Sequence, residues 1–357
     1  MRPPRQWIWA VWLIVLLLVP AGMIVTGTRP NDVSRDRRAA PKFEFGRLLD
    51  RDYYAELDAL AARSPGEGLG LWATANLDYE VFGESNNSNV LVGSDGWLFW
   101  KPYVDFSCDD IDAISVPDIA EPTPGSVRYL TLPTKSSLYG DLLPDGTVPA
   151  CAAVARQDRH ERFEDDRLGL DPAHVLDEVL ADGATADLFY RADTHWTPLA
   201  RVLVAERLID ELQPGLWDAD AVQPNDGEPF EQGLAAAIGL DRTITEPGYT
   251  IERGGELRVI RDTLESSFGA GDRITEMRDV DVIEGTTLIV GDSQFQFLAA
   301  ELEPYFERLV FVTWAIAPEY DFDAAAPDRV IFEAIEPGVE GWFESEMADR
   351  AIAAISD

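Results

Sequence analysis

Four short, almost unbroken apolar runs constrain this chain more than any other feature: Val127–Pro133, Thr287–Val290, Leu309–Val312 and Arg329–Phe332. A strand with one wet face alternates apolar and polar residues. Continuous runs of this length instead suit strands covered on both faces. Helical segments separate them. Thr197-Pro198 reads as an N-cap followed by proline at the first helical position, and the helix it opens, Leu199–Leu212, stops at Gln213-Pro214-Gly215. A second helix is expected over Gln294–Phe306. Strands alternating with helices predict an α/β fold with a mainly parallel sheet. Before this region, Asn89–Trp100 places two strand-like runs around Gly93-Ser94-Asp95-Gly96, a hairpin signal. Phe45–Ala62 has helical spacing, and Leu168–Leu180 carries a strand-and-helix pattern. Residues 217–280 are acidic, rich in glycine and proline, and only weakly strand-like; they read as an insertion bordering the active site.

Two of these elements carry chemistry. The run Thr287–Val290 ends in Gly291-Asp292-Ser293, where a buried strand should turn into a helix whose first N–H groups are unpaired. Upstream, Arg191–Pro198 contains Asp193-Thr194-His195-Trp196. In extended backbone, residues i and i+2 point to the same side, so Asp193 and His195 can face one pocket. A serine nucleophile, a histidine general base and a carboxylate that orients it make an acyl-transfer triad. The chain has only three histidines; His160, in a charged run, and His174, after Asp171-Pro172-Ala173, read as solvent-facing. Histidines are too few, and Cys/His ligand spacing is lacking, for a metal site; no metal or cofactor is expected.

The net charge of −36 disfavours nucleic acid and other polyanions as partners. Residues 7–28 are uncharged, long enough to span a bilayer, and begin with tryptophans suited to its interface. They read as a single signal-anchor helix in segment 1–28, followed by a linker over 29–44 and a catalytic domain over 45–357. Arg2 and Arg5 precede the apolar stretch, whereas Arg29, Arg35, Arg37, Arg38 and Lys42 follow it. By the positive-inside count alone the large domain would stay in the cytoplasm. Cys108 and Cys151 can close a disulfide if the domain is exported.

The Gly93–Phe99 hairpin, Leu132-Pro133-Thr134-Lys135 with Tyr139, Asp193-Thr194-His195-Trp196, Gly291-Asp292-Ser293 and the strand Arg329–Phe332 with its following acids together resemble the alginate O-acetyltransferase family. That family is a branch of the SGNH serine esterase superfamily. The order Asp, His, then Ser resembles a circular permutation of the ordinary superfamily order. The resemblance implies a flavodoxin-like, SGNH-hydrolase-type fold and an extracytoplasmic domain held to the cell membrane by residues 7–28. It also implies transfer of acetyl groups onto an exported polysaccharide, beside a multi-pass membrane acyltransferase that delivers them. On this reading Ser293 is the nucleophile, His195 the base and Asp193 its orienting acid, with the Ser293 N–H as one oxyanion donor and a second unassigned. Lys135 and Tyr139 line the substrate side or, equally, are a surface lysine and a half-buried tyrosine. Trp196 joins them as a wall, Asp292 holds the turn, and Glu336 has no assigned role. The acidic surface, with no added carbohydrate-binding module at the C-terminus, favours a neutral glycan over alginate. An esterase with the same triad, or a non-catalytic glycan-binding scaffold, are the alternatives.

Overall fold

The computed structural model of the protein describes residues 76, 78–105, 126–144, 147, 169–170, 176, 179, 187–240, 242–264, 270–335 and 346–355. The apolar stretch 7–28, the helical pattern Phe45–Ala62, Cys108, Cys151, His160, His174 and Glu336 lie outside these residues. Among the described residues no helix is long and apolar enough to cross a membrane. Two units divide after Gly83. In the first, Asp78–Phe82 forms one helical turn. The second carries everything that follows.

Its centre is a seven-stranded sheet, counted among the described residues, in the order β4-β3-β13-β11-β12-β10-β9. These strands are β3 (Val127–Leu132), β4 (Gly169–Leu170), β9 (Glu256–Asp262), β10 (Asp272–Arg278), β11 (Ile283–Gly291), β12 (Phe306–Thr313) and β13 (Arg329–Ile335). From β4 to β12 the pairing is parallel, with Leu288 of β11 opposite Val310 on one side and Val330 on the other. The four apolar runs are therefore adjacent central strands. Leu288, Ile289 and Val290 are wholly buried because both sheet faces are covered.

The period of two along each strand sorts the core into two layers. Ile289, Phe311 and Ile331 face the helices α3 (Pro198–Leu212) and α5 (Ser293–Leu302), against Ala200, Val204, Phe295 and Leu298. Leu288, Val290, Val310 and Phe332 face Met347, Ala348 and Ala351 of α7 (Glu346–Ala353). Each valine, leucine, isoleucine, phenylalanine or methionine among them contributes about 1.5–3 kcal/mol when fully buried. The remaining α-helices among the described residues are single turns: α1 (Lys101–Val104), α2 (Lys135–Leu138), α4 (Gly233–Ala237) and α6 (Phe322–Ala325).

The sheet is mixed rather than parallel throughout. β10 runs antiparallel to β12, and β9 antiparallel to β10. The connection Thr263–Gly271 is too short for the crossover that a parallel pair needs, so the chain doubles back. Strands β9 and β10, expected in an insertion, thus belong to the sheet. What remains of the insertion is a pair of two-stranded ribbons: β5 (Val222–Asn225) with β8 (Gly248–Ile251), and β6 (Pro229–Glu231) with β7 (Thr243–Thr245). The Gly93–Gly96 turn does join a hairpin, β1 (Val90–Val92) with β2 (Leu98–Trp100).

Candidate active site

Ser293 is the first residue of α5, directly after the central strand β11. Asp292 caps that helix: its Oδ1 accepts from the Gln294 N–H at 2.7 Å and its Oδ2 from the Ile335 N–H at 3.1 Å. The cap takes the second amide of the helix and leaves the Ser293 N–H at its tip, where a developing oxyanion would sit. The glycine before it is required by space. A Cβ on Gly291 would collide with the Glu333 carboxyl and lie 3.2 Å from Phe295 and Phe311.

The Asp193–His195 segment comes from the loop that enters α3. His195 Nε2 is 3.1 Å from Ser293 Oγ, and His195 Nδ1 is 2.6 Å from Asp193 Oδ1. A carboxylate only accepts, so the imidazole proton belongs on Nδ1, and Nε2 is free to accept from the serine hydroxyl. The pair does not meet through extended backbone, as the spacing suggested. Asp193 Oδ1 also accepts the His195 backbone N–H at 2.9 Å, a turn closed by the aspartate side chain. Asp193 Oδ2 accepts the Gly233 N–H from α4. Burial pushes the Asp193 carboxyl up, but hydrogen bonds from the His195 ring and amide and from Gly233 outweigh it, holding the carboxyl below its ordinary range.

Three residues expected on the substrate side are spent on the scaffold. Lys135 is 4% exposed. Its Nζ donates to the carbonyls of Leu98 (2.7 Å), Tyr190 (2.8 Å), Arg191 (2.7 Å) and Asp193 (3.0 Å). It also sits 4.8 Å from the Trp97 ring and 5.3 Å from that of Phe99. Burial drives this group toward the neutral amine, while the Asp193 and Asp187 carboxylates oppose that. Four acceptors with no donor among them, over two aromatic faces, match an ammonium, and that is the form the geometry supports. Tyr139 accepts the Leu188 N–H at 2.9 Å and packs 4.3 Å from Trp97. Trp196 is 1% exposed and edge-on to Phe189, so it walls the core rather than a substrate.

Other residues that the motifs did not reveal lie around Ser293 and His195. Gln294 Nε2 donates to the Thr194 carbonyl at 2.7 Å, tying the serine helix to the histidine loop. The Phe297 ring lies 4.5 Å from that of His195, with Phe230 edge-on at 5.9 Å and stacked on Tyr190 at 4.4 Å. Phe297 was within reach of sequence reasoning, being one helical turn after Ser293. Phe230 lies in the weakly patterned ribbon strand β6 and Gly233 opens the single-turn helix α4; neither carries a local signal. The Ser293 side chain itself faces solvent. Among the described residues no group of three or more His, Cys, Asp or Glu is set to hold a metal ion.

Residues 126–262 match the family model of the SGNH hydrolase-like domain of the acetyltransferase AlgX, a span that includes Lys135, Asp193 and His195 and stops short of Ser293. The chain is 30% identical over 184 residues to the probable alginate O-acetylase AlgJ of Pseudomonas aeruginosa, covering 49% of this chain and 43% of that protein. With the probable alginate O-acetylase AlgJ of Pseudomonas syringae pv. tomato it shares 28% identity over 179 residues, 48% of this chain and 42% of the relative. The chain thus spans less than half the length of these curated relatives. In solved structures the fold is similar to that of Bacillus cereus PatB1 with a sulfonyl adduct, at a TM-score of 0.50 and 14% identity, covering 73% of this chain and 98% of that one. The resemblance to the alginate O-acetyltransferases expected from the motifs is borne out, and with it an SGNH-like α/β fold built on a mixed sheet.

Proposed function

We propose that this chain is an O-acetyltransferase that moves acetyl groups onto hydroxyls of an exported or cell-surface polysaccharide through an acyl-enzyme on Ser293. The observation that carries the reading is the hydrogen-bonded line from Ser293 Oγ through both nitrogens of His195 to Asp193. Ser293 Oγ attacks the donor carbonyl while His195 Nε2 takes its proton. The tetrahedral oxyanion gains from the Ser293 N–H and the start of α5. As it collapses, the donor leaves with the proton from Nε2 and the acetyl group stays on Ser293. A sugar hydroxyl then loses its proton to Nε2 and attacks the acyl carbon, and Ser293 is released protonated. Asp193 holds the imidazole tautomer and stabilises the imidazolium at both stages.

The similarity to proteins described as alginate O-acetylases supports the polysaccharide acceptor. The net charge of −36 favours a neutral glycan over a uronic acid polymer. In this reading residues 7–28 anchor the chain, residues 45–357 form the extracytoplasmic catalytic domain, and a multi-pass membrane acyltransferase supplies the acetyl group. One observation favours a second reading, a carbohydrate esterase: Ser293 faces solvent, so water has the same access as a sugar. The nucleophile is tested with an activated ester such as p-nitrophenyl acetate. Ser293→Ala or His195→Ala should slow turnover by roughly 10⁴-fold while the fold is retained. Wild-type rates in Ser293→Ala would remove the mechanism.

A further inference from the structure

Along β13 the residues on the α3/α5 face read Ile331, Glu333, Ile335. The two isoleucines belong to the main apolar core, and the glutamate between them is fully buried, at 0% exposure. An apolar side chain would be the inexpensive occupant of that position, since burying a lone carboxylate costs several kcal/mol. What Glu333 meets there is the turn that presents the nucleophile. Its Oε2 accepts the Asp292 N–H at 2.7 Å, and its carboxyl fills the space that requires glycine at 291.

The protonation of this group follows from its surroundings. Glu333 Oε1 is buried and, among the described residues, has no hydrogen-bond partner. The nearest ionisable neighbour is Asp292, whose two oxygens already accept the Gln294 and Ile335 amides. From α1, the Tyr103 hydroxyl is pushed up to about 12 by burial and by these two carboxyls. Burial also pushes the Asp292 carboxyl up, against the opposing pull of the Gln294 and Ile335 amides, of Glu333 and of His195. Trp314 donates its indole N–H to the Glu333 carbonyl at 2.7 Å rather than to the side chain. Among the described residues no cation reaches Glu333, and burial beside Asp292 drives its carboxyl well above the ordinary range. The fully buried Glu333 carboxyl beside the half-buried one of Asp292 leaves one proton to be held between the two.

We propose that Glu333 is held as a neutral carboxylic acid beneath the Gly291–Ser293 turn, and that it is a positioning residue for Ser293. Its Oε2 accepts the Asp292 N–H, and the proton on Oε1 is donated to the Asp292 carboxylate. The pair carries one negative charge, which stays on Asp292 and faces the imidazolium that forms at His195. Both hydrogen bonds fix the peptide immediately before Ser293, and so fix the direction of Oγ and of the Ser293 N–H.

The test separates protonation from catalysis, because only the kinetic half rests on Ser293 as nucleophile. Infrared spectra of the wild-type chain at pH 7 should show a protonated-carboxyl C=O band that is missing in Glu333→Gln. Glutamine can still accept the Asp292 N–H and donate to its carboxylate, so kcat should stay within about threefold of wild type. Glu333→Leu makes neither bond and should lower kcat about 10–100-fold with KM little changed, as a small misplacement of the nucleophile does. An unchanged infrared band in Glu333→Gln, or a glutamine variant as slow as leucine, would overturn the proposal. If Glu333→Leu does not fold, the glutamine variant decides alone: loss of more than about tenfold in kcat rejects it. Should Ser293→Ala prove as active as wild type, the nucleophile assignment falls while the infrared band still reports on Glu333.

Discussion

Replacing Lys135 with methionine tests whether one buried ammonium holds the histidine loop in place. Its three N–H donors serve four carbonyls, those of Leu98, Tyr190, Arg191 and Asp193, all within 3.0 Å. Hydrogen bonds to a charged group contribute about 1.5–3 kcal/mol each. Desolvating the ammonium offsets much of that sum, at several kcal/mol. Removal is not the reverse of formation. Methionine keeps the apolar stem against Trp97 and Phe99 but leaves the carbonyls stranded, at about 1–3 kcal/mol for each that cannot relax toward water. A net loss of about 3–5 kcal/mol is expected, the usual result of deleting one side of a buried charged contact. That is a large share of a total stability near 5–15 kcal/mol. Urea unfolding of wild type and Lys135→Met at pH 7 measures it. The fraction still folded should also turn over ester slowly, because the Tyr190–Asp193 backbone has lost its anchor. A loss below about 1 kcal/mol, within the range of ordinary surface substitutions and small repacking, would refute the clamp.

Gly291→Ala should destabilise the chain by about 1–3 kcal/mol and cost activity, since the new methyl meets Glu333, Phe295 and Phe311; differential scanning calorimetry and ester turnover check both. Glu301, paired with Arg201 at 3.3 Å, is pushed up to about 7 by burial against the opposing pull of that arginine. A folded-state value above the ordinary 4.5 means stability is full below pH 4.5 and is lost as pH rises through 7, a change of roughly 3 kcal/mol. Glu301→Gln should flatten that slope in unfolding measured from pH 4 to 8, and an unchanged slope rejects the assignment. If the acyl-enzyme is built for a sugar, neutral glycans should speed turnover and appear acetylated in mass spectra, because a bound hydroxyl outcompetes bulk water. Free acetate alone, across a broad panel, would replace the transferase reading with the esterase.

The parts of this architecture that could be read from the sequence are those set by near neighbours. Thr287–Val290 is apolar on both faces, so its place at the centre of a covered sheet and the turn after it follow from local pattern. The same holds for Thr197-Pro198 at the start of α3, where the Thr197 side chain caps the helix as its position implied. Asp193 and His195 were legible as a pair but not in geometry, because an aspartate side chain competes for nearby backbone N–H groups and closes a turn. Lys135 stood out in the sequence, yet its partners are carbonyls, which every residue has, so no pattern could point to them. The place of β9 in the sheet is illegible for a related reason. β9 is an edge strand with Leu257, Val259 and Ile260 exposed between arginines, and it lacks the apolar stripe that marks a sheet strand. Gly233 acts through its backbone amide alone, and its meeting with Asp193 is purely tertiary.

The hydrogen bond between His195 and Ser293 joins residues 98 positions apart. Between them lie both ribbons, the two antiparallel strands and the whole of β11. Closing so long a loop has an entropic cost that only the finished sheet can repay. On the proposed mechanism, a chain that has formed α3 and its loop, but not yet β11, holds a base with no nucleophile to activate. Recovery of ester cleavage after dilution from denaturant should thus coincide with the last cooperative folding phase and show no earlier burst. On that mechanism the chemistry stays switched off until β11 has joined the sheet.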